Sequence, residues 1–182
     1  RAEPCECYGG AARRQSFVGA ARARDSQTLL IDTGAYAVGS GLFFPTFGGN
    51  ASRALFGAAR YDAWTLAYRE LQGSFAGEKG AKLARYVARA RAENPSLPLP
   101  VVTNMDFSRT ALAGSVARHT LVTLDGGWRV AVLALLGDTQ FLSSFWRACE
   151  LDASAALATT LADLARLSEP PDAIICLAAQ GN

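Results

Sequence analysis

In two segments of this sequence a short apolar run is followed by a turn of polar or small residues. An active or ligand-binding site is expected at these turns. The two segments span residues 29–35 and 61–70. Such runs predict buried strands, and open α/β sheets bind ligands and metals at strand ends. The turns carry Ala35 and the pair Tyr68-Arg69, where a catalyst would place carboxylates or metal ligands. We therefore expect these loops to border the site, with side chains that do not suit catalysis.

The titratable side chains limit the possible reaction classes. A two-metal hydrolase needs several imidazoles and carboxylates around cations roughly 3.5–4 Å apart, but the chain has one histidine, His119. No nucleophile motif lies near it, which favours a structural role. Asp32 and Asp62 adjoin strands, where carboxylates commonly accept hydrogen bonds from the loop backbone. The candidate acids are Asp32, Asp62, Glu70, Asp106, Asp125 and Asp138. Phosphate-loop, nucleophile-elbow and dinucleotide motifs are missing from the sequence.

Length and composition predict one domain, 1–182. Half of the residues are apolar, 19% are charged, and the net charge of +2 is too small to indicate nucleic acid as a partner. No apolar run approaches the roughly 20 residues that span a bilayer. The sequence begins at Arg1 and ends just after an apolar run. From these ends we expect a processed secreted, periplasmic or organelle-lumen protein, or a fragment of a longer chain.

The four cysteines have no zinc-site spacing. They are Cys5, Cys7, Cys149 and Cys176. Cys176 lies in an apolar strand and is predicted to be a small buried hydrophobic residue. A bridge from Cys5 or Cys7 to Cys149 is an open alternative that requires an oxidising compartment.

Strand and helix patterns alternate along the chain and predict a layered α/β fold. Helices are predicted at 10–24, 50–59, 80–93 and 154–167. Strands are predicted at 28–32, 63–66, 101–103, 116–124, 128–136 and 172–177. The pair 116–124 and 128–136 is expected to form a hairpin, because Asp-Gly-Gly separates its two strands.

Five segments match, in order and spacing, the motifs of one enzyme family. Residues 32–35 match a strand that ends Asp-Ala-Gly-Asp, and 61–70 match Tyr-Asp-Ala-x-x-Leu-Gly-Asn-His-Glu. Residues 102–105 match a strand that ends Ala-Asn-Val, 172–181 match Asp-x-x-Ile-x-Leu-Ser-His-x-Gly, and 9–14 match Gly-Gly-Leu-Ala-Arg-Arg. On these motifs, residues 9–182 resemble the N-terminal, metal-binding domain of 5′-nucleotidase-type metallophosphoesterases of the calcineurin-like superfamily. The resemblance implies a layered β-sandwich flanked by helices.

The resemblance also implies that the family's metal ligands are replaced in this chain. The affected positions are Ala35 for an Asp, Tyr68 and Arg69 for an Asn-His pair, and Ala179 for a His. Alanine has no side-chain lone pair, and a guanidinium places a fixed positive charge in a cation site. Neither the family's Asp-x-His strand nor its C-terminal substrate domain is found in 1–182. The scaffold residues Asp32, Gly34, Asp62 and Asn104 remain, and we expect them to serve turns and packing.

The interpretation that follows is a catalytically inactive phosphoesterase-fold protein without a cofactor. It would act as a structural or protein-binding subunit of a larger assembly, with Tyr68 and Arg69 filling the former metal pocket through a salt-bridge network. The expected partner contacts are Phe43, Phe44, Phe47 and Trp146.

Two alternatives stay open from the sequence. One is a metal-dependent phosphoesterase or a phosphate- or nucleotide-binding protein with a rebuilt site. In it, Arg13, Arg14 and Arg69 would hold the anion, because arginine binds phosphate without a metal. The other is a fragment of a larger enzyme whose remaining parts carry the site.

Overall fold

The computed structural model describes residues 10–35, 50–72 and 76–179. Its elements are α1 (Ala11–Arg24), β1 (Ile31–Asp32), α2 (Asn50–Ala59), β2 (Ala63–Trp64), α3 (Tyr68–Leu71), α4 (Ala81–Glu93), β3 (His119–Thr123), β4 (Arg129–Leu136), α5 (Ser144–Arg147), α6 (Ala153–Ala165) and β5 (Ala173–Ala179). Short 3₁₀ turns lie at Glu78–Gly80 and Thr139–Phe141. The predicted mixed α/β class is confirmed.

The strands form a parallel pair and a three-stranded sheet. β1 runs parallel to β2, with Ile31 opposite Ala63. The sheet has the order β3-β4-β5, in which β3 is antiparallel and β5 parallel to β4. The predicted hairpin is confirmed as β3 and β4, and its turn needs glycine because Gly126 and Gly127 both have a φ of +87°.

The segment 101–103 is a junction rather than the predicted strand. Only Val101 forms ladder bridges, to Thr65 on one side and Ala117 on the other. The next backbone groups turn to other elements. The N–H bonds run from Val101 to Trp64 O at 2.8 Å, from Val102 to Ala117 O at 2.9 Å and from Thr103 to Ala134 O at 2.7 Å. Three successive residues therefore tie together β2, the segment before β3, and β4.

Asn104 completes this junction with a two-point bond to β4. Its Nδ2 donates to Leu136 O at 3.0 Å, and its Oδ1 accepts from Leu136 N at 2.8 Å. The side chain is 2% exposed. The expected structural role of Asn104 is thus confirmed, because the amide replaces a strand partner for one residue of β4.

Aromatic and aliphatic side chains of β2, α4 and α5 form the main core, and a smaller core joins α6 to β4. Trp146 is 4% exposed, with its ring 5.0 Å from that of Phe145 and 6.2 Å from that of Phe107, measured between centroids. Trp146 is therefore core, and it does not offer the partner contact that was predicted. Phe43, Phe44 and Phe47 lie outside the described residues.

Local backbone geometry moves two element boundaries from their predicted places. The helix predicted from residue 80 begins at Ala81, because Gly80 has a left-handed φ of +87°. β1 begins at Ile31 rather than at Thr28, because the Thr28 N–H closes a turn onto Asp25 O at 3.1 Å.

Cys176 is exposed, which contradicts the prediction that it is buried. It lies on β5, the outer strand beside β4, and α6 packs mainly against β3 and β4. Among the described residues Cys149 has no disulfide partner, and it is half-buried. Cys5 and Cys7, its proposed bridging partners, lie outside the described residues. None of the helices in the described part of the chain is both long and apolar enough to cross a membrane.

We predict that Asn104→Ala lowers the free energy of unfolding by about 2–4 kcal/mol, because it leaves a buried N–H and C=O of Leu136 unsatisfied. Urea denaturation measures the change. Gln140→Ala, at an exposed amide, is the matched control and should shift stability by less than about 0.5 kcal/mol. Equal effects of both substitutions would contradict the junction role of Asn104.

Candidate functional site

Two strand-end loops, residues 33–35 after β1 and 65–67 after β2, meet at the carboxyl ends of the parallel pair. Gly34 of the first loop lies against Ala67 of the second and has a φ of +91°. A Cβ atom at this position would lie 2.7 Å from Ala67 N. Glycine is therefore required twice over, by its left-handed backbone and by the contact between the loops.

Glu70 joins the same two loops through one carboxylate oxygen. Its Oε2 accepts hydrogen bonds from Ala67 N at 2.9 Å and from Ala35 N at 3.1 Å. The Glu70 side chain is 0% exposed. Because Glu70 is the third residue of α3, the bond to Ala67 is half of a capping box. The second bond holds Ala35, which has an unfavourable φ of +61°, against the start of this helix.

Asp32 is half-buried at the end of β1 and shares a network with Tyr61 and Arg14. Its Oδ1 accepts from Gly34 N at 2.9 Å, and its carboxylate bonds the Tyr61 side chain. Burial raises the pKa of Asp32 above its ordinary value, although the Gly34 and Tyr61 bonds and the Arg14 charge oppose this. Burial and the nearby Asp32 charge raise the pKa of Tyr61 to about 12.

Asp62 anchors α1 to the start of the two parallel strands. Its Oδ2 accepts from Leu30 N at 2.8 Å and pairs with Arg22 Nη2 at 2.8 Å. Arg22 also donates to Arg60 O at 2.7 Å. The predicted use of Asp32 and Asp62 as acceptors of backbone hydrogen bonds is therefore confirmed.

Tyr68 and Arg69 pack against each other at the start of α3. The Tyr68 side chain is 8% exposed, and its ring centroid lies 6.0 Å from that of Phe141. The Arg69 guanidinium lies over the Tyr68 ring, 5.3 Å from its centroid. Arg69 is exposed and makes no ion pair with any described residue, so ring stacking stands where a salt-bridge network was predicted.

The other predicted site residues lie apart. Ala179 ends β5 in register with Leu136, the residue that Asn104 bonds. Arg13 is exposed on α1. The Arg14 guanidinium lies 5.7 Å from the Tyr61 ring centroid, so it and Arg69 stack on different tyrosines.

Metal-ligating side chains are not clustered in the described ranges. Within 10–35, 50–72 and 76–179, no three or more His, Cys, Asp or Glu residues come close enough to hold a metal ion.

Sequence reasoning named Glu70 only as one of several candidate acids and missed its role as the tie between the loops. A signal for half of this role was present, because a Glu three residues after a helix N-cap is typical of a capping box. The bond to Ala35 depends on the approach of two distant segments, which spacing alone does not reveal.

We predict that Glu70→Ala lowers the free energy of unfolding by about 2–4 kcal/mol, because the buried N–H of Ala67 and the part-buried N–H of Ala35 lose a charged acceptor. The same substitution at exposed Glu78 is the matched control, with an expected change below about 0.5 kcal/mol. Thermal and urea unfolding measure both variants. A Glu70→Ala protein as stable as the control would refute the role of Glu70 in holding the two loops together.

A second prediction concerns the pH dependence of stability. Because the pKa of Asp32 is raised in the folded state, the wild-type protein loses stability as pH rises through that pKa. Asp32→Asn removes this loss, so its stability relative to wild type should increase from about pH 3 to pH 7. Asp25→Asn is the control, since exposed Asp25 makes the same kind of turn, accepting from Gln27 N at 2.9 Å. A stability difference that falls with pH would contradict the burial of Asp32.

Comparisons with known proteins agree with the geometry of the fold. No protein-family model matches the chain, and no curated protein matches it. Among solved structures, the chain is similar to the 5′-nucleotidase precursor from Thermus thermophilus, with a TM-score of 0.74 and 26% sequence identity. The match covers 93% of this chain and 31% of that protein. The fold is therefore similar to the metallophosphoesterase-type N-terminal domain of a 5′-nucleotidase.

Proposed function

We propose that this chain is a catalytically inactive domain of metallophosphoesterase-like fold that acts as a structural or protein-binding subunit. One observation carries the proposal. The two strand-end loops, where sheets of this kind bind ligands, direct their buried carboxylate, Glu70, onto each other's backbone. A cation that took Oε2 of this carboxylate would leave the buried N–H of Ala67 and the part-buried N–H of Ala35 without their acceptor.

The neighbouring carboxylates support the proposal because they are committed to the scaffold in the same way. Asp32 bonds Gly34 and Tyr61, and Asp62 is paired with Arg22. At the positions that correspond by resemblance to metal ligands, the chain has Ala35, Tyr68, Arg69 and Ala179. Alanine supplies no ligand atom, and the exposed Arg69 guanidinium brings a positive charge that repels a cation.

The arginines do not favour the alternative of a rebuilt phosphate site. Arg14 lies beside the Tyr61 ring and the Asp32 carboxylate, so its charge is already engaged. Arg69 stacks on Tyr68, and Arg13 is exposed on α1. A phosphate clamp requires convergent guanidinium groups, and hydrolysis further requires a metal or a positioned base.

The 5′-nucleotidase activity of the structural neighbour belongs to that protein. This chain spans 31% of it, so activity, substrates and partners do not transfer by likeness of fold. We propose that this chain keeps the metallophosphoesterase-like fold and has lost the phosphoesterase activity.

The proposal predicts that the purified chain, incubated with excess Mn²⁺ or Zn²⁺ and then desalted, retains far less than one metal ion per chain. It should also leave p-nitrophenyl phosphate and adenosine 5′-monophosphate unhydrolysed. Elemental analysis and phosphate release measure these two results, with an active 5′-nucleotidase as the positive control. Stoichiometric metal together with turnover would overthrow the proposal.

The subunit role predicts that the chain elutes from its native source as part of a larger complex on size-exclusion chromatography. Mass spectrometry of the peak then identifies the accompanying proteins. Elution as a lone monomer from a gentle native extract would contradict this part of the proposal.

A further inference from the structure

A polar cleft of about 600 Å³ lies at the end of the parallel pair opposite to the strand-end loops. Its lining includes Thr28 and Asp62, which precede β1 and β2, together with Arg22, Arg60, Ser96 and the stretch 120–125. Six consecutive residues of the β3 hairpin line it, so the cleft follows the edge of β3 rather than one face. We call it the β3 cleft.

The hydrogen-bond ladder shows which groups of β3 face this cleft. Leu124 N donates to Trp128 O at 2.8 Å, so this pair is hydrogen-bonded. The next pair, Thr123 and Arg129, is not, because Arg129 N and O bond Asp172 on the β5 side, each at 2.8 Å. Bonded and unbonded pairs alternate in an antiparallel ladder. The backbone groups of Thr123 and Leu121 therefore point away from β4.

These outward groups are unpaired in the part of the chain that the structure describes. β3 is an outer strand of its sheet, and no described residue bonds the backbone of Leu121 or Thr123. The edge thus presents two N–H donors and two C=O acceptors, spaced for a neighbouring strand. An inorganic anion uses donors alone, whereas an extended peptide uses both.

The charges of the cleft select the peptide. Asp62 is neutralised by Arg22 at 2.8 Å. Arg60 is exposed and makes no ion pair with a described residue, and its carbonyl is held by Arg22 Nη2 at 2.7 Å. A carboxylate on the incoming chain therefore complements Arg60. The exposed Asp125 also lines the cleft and disfavours a second acidic side chain beside it, so the cleft suits one acidic side chain placed against Arg60.

We propose that the β3 cleft binds an extended segment of a partner protein that carries one acidic side chain. The segment adds as a strand to the free edge of β3 and sets an acidic side chain against Arg60. The proposal rests on the proposed protein-binding function and names its docking surface. Backbone bonds supply affinity in this mode, and the Arg60 contact supplies selectivity.

The first test is amide hydrogen exchange of the free protein, followed by NMR. The outward amides of Leu121 and Thr123 should exchange fast, and those of Thr120 and Val122, which bond β4, should exchange slowly. Protection of the outward amides would mean that the edge is already covered and would overturn the proposal.

The second test is binding of a panel of blocked five-residue peptides of alternating Val and Thr, with Glu at each position in turn. Fluorescence anisotropy of labelled peptides gives the affinity. Thr123→Pro removes one outward N–H without touching the β3–β4 ladder and should weaken the best peptide about tenfold, while Thr123→Ala should not. Circular dichroism verifies that both variants fold.

Arg60→Ala should weaken the best Glu peptide about five- to tenfold and leave its Gln counterpart unchanged. Three outcomes overturn the proposal: no peptide binds, Thr123→Pro and Thr123→Ala bind alike, or Arg60→Ala affects Glu and Gln peptides equally. Dimerisation abolished by Thr123→Pro would also overturn it, because a second copy would then be the occupant. The metal and turnover assays test the two proposals separately. If the chain binds the peptide and also turns over substrate, only the inactive-domain proposal is refuted. If the chain neither binds a peptide nor turns over substrate, only the β3 cleft proposal is refuted.

Discussion

One buried carboxylate, that of Glu70, holds together the two loops around which the chain is built. Its single oxygen Oε2 accepts from the backbone of Ala67, at the start of its own helix, and of Ala35, at the end of another strand. A buried carboxylate is costly unless it accepts hydrogen bonds. The close approach that makes this possible needs the missing side chain of Gly34, which lies against Ala67.

The same interaction explains why a fold similar to that of a 5′-nucleotidase domain does not by itself argue for the activity. Strand ends in an α/β sheet present polar groups that a ligand or the chain itself satisfies. Here Glu70 and Asp32 are satisfied by backbone and by Tyr61. Our account is that these residues keep their scaffold role beside the positions where the metal ligands of the family are replaced, and that the edge of β3, unpaired among the described residues, serves recognition.

Sequence patterns predicted most elements, because local rules govern them. The helix at Ala153–Ala165 follows from the helical spacing of Leu157, Leu161 and Leu164, and the hairpin of β3 and β4 follows from the glycines in its turn. The similarity to a 5′-nucleotidase fold was predictable from the sequence, because the order and spacing of the matching motifs reflect the topology of the fold. The strand predicted at 101–103 was wrong because each of its N–H groups bonds a different element, which is a tertiary effect. Cys176 was wrongly predicted to be buried, and Trp146 was wrongly predicted to contact a partner. Both errors arise because the apolar character of a segment does not show whether it forms an outer strand or a core helix.

The most direct measurement of the central claim is anomalous diffraction from crystals of this chain soaked in Mn²⁺. The account predicts no anomalous peak between the loops 33–35 and 65–70, with the Glu70 carboxylate still bonded to Ala35 N and Ala67 N. A manganese ion bound between these loops, with the Glu70 bonds broken or rearranged around it, would contradict the account.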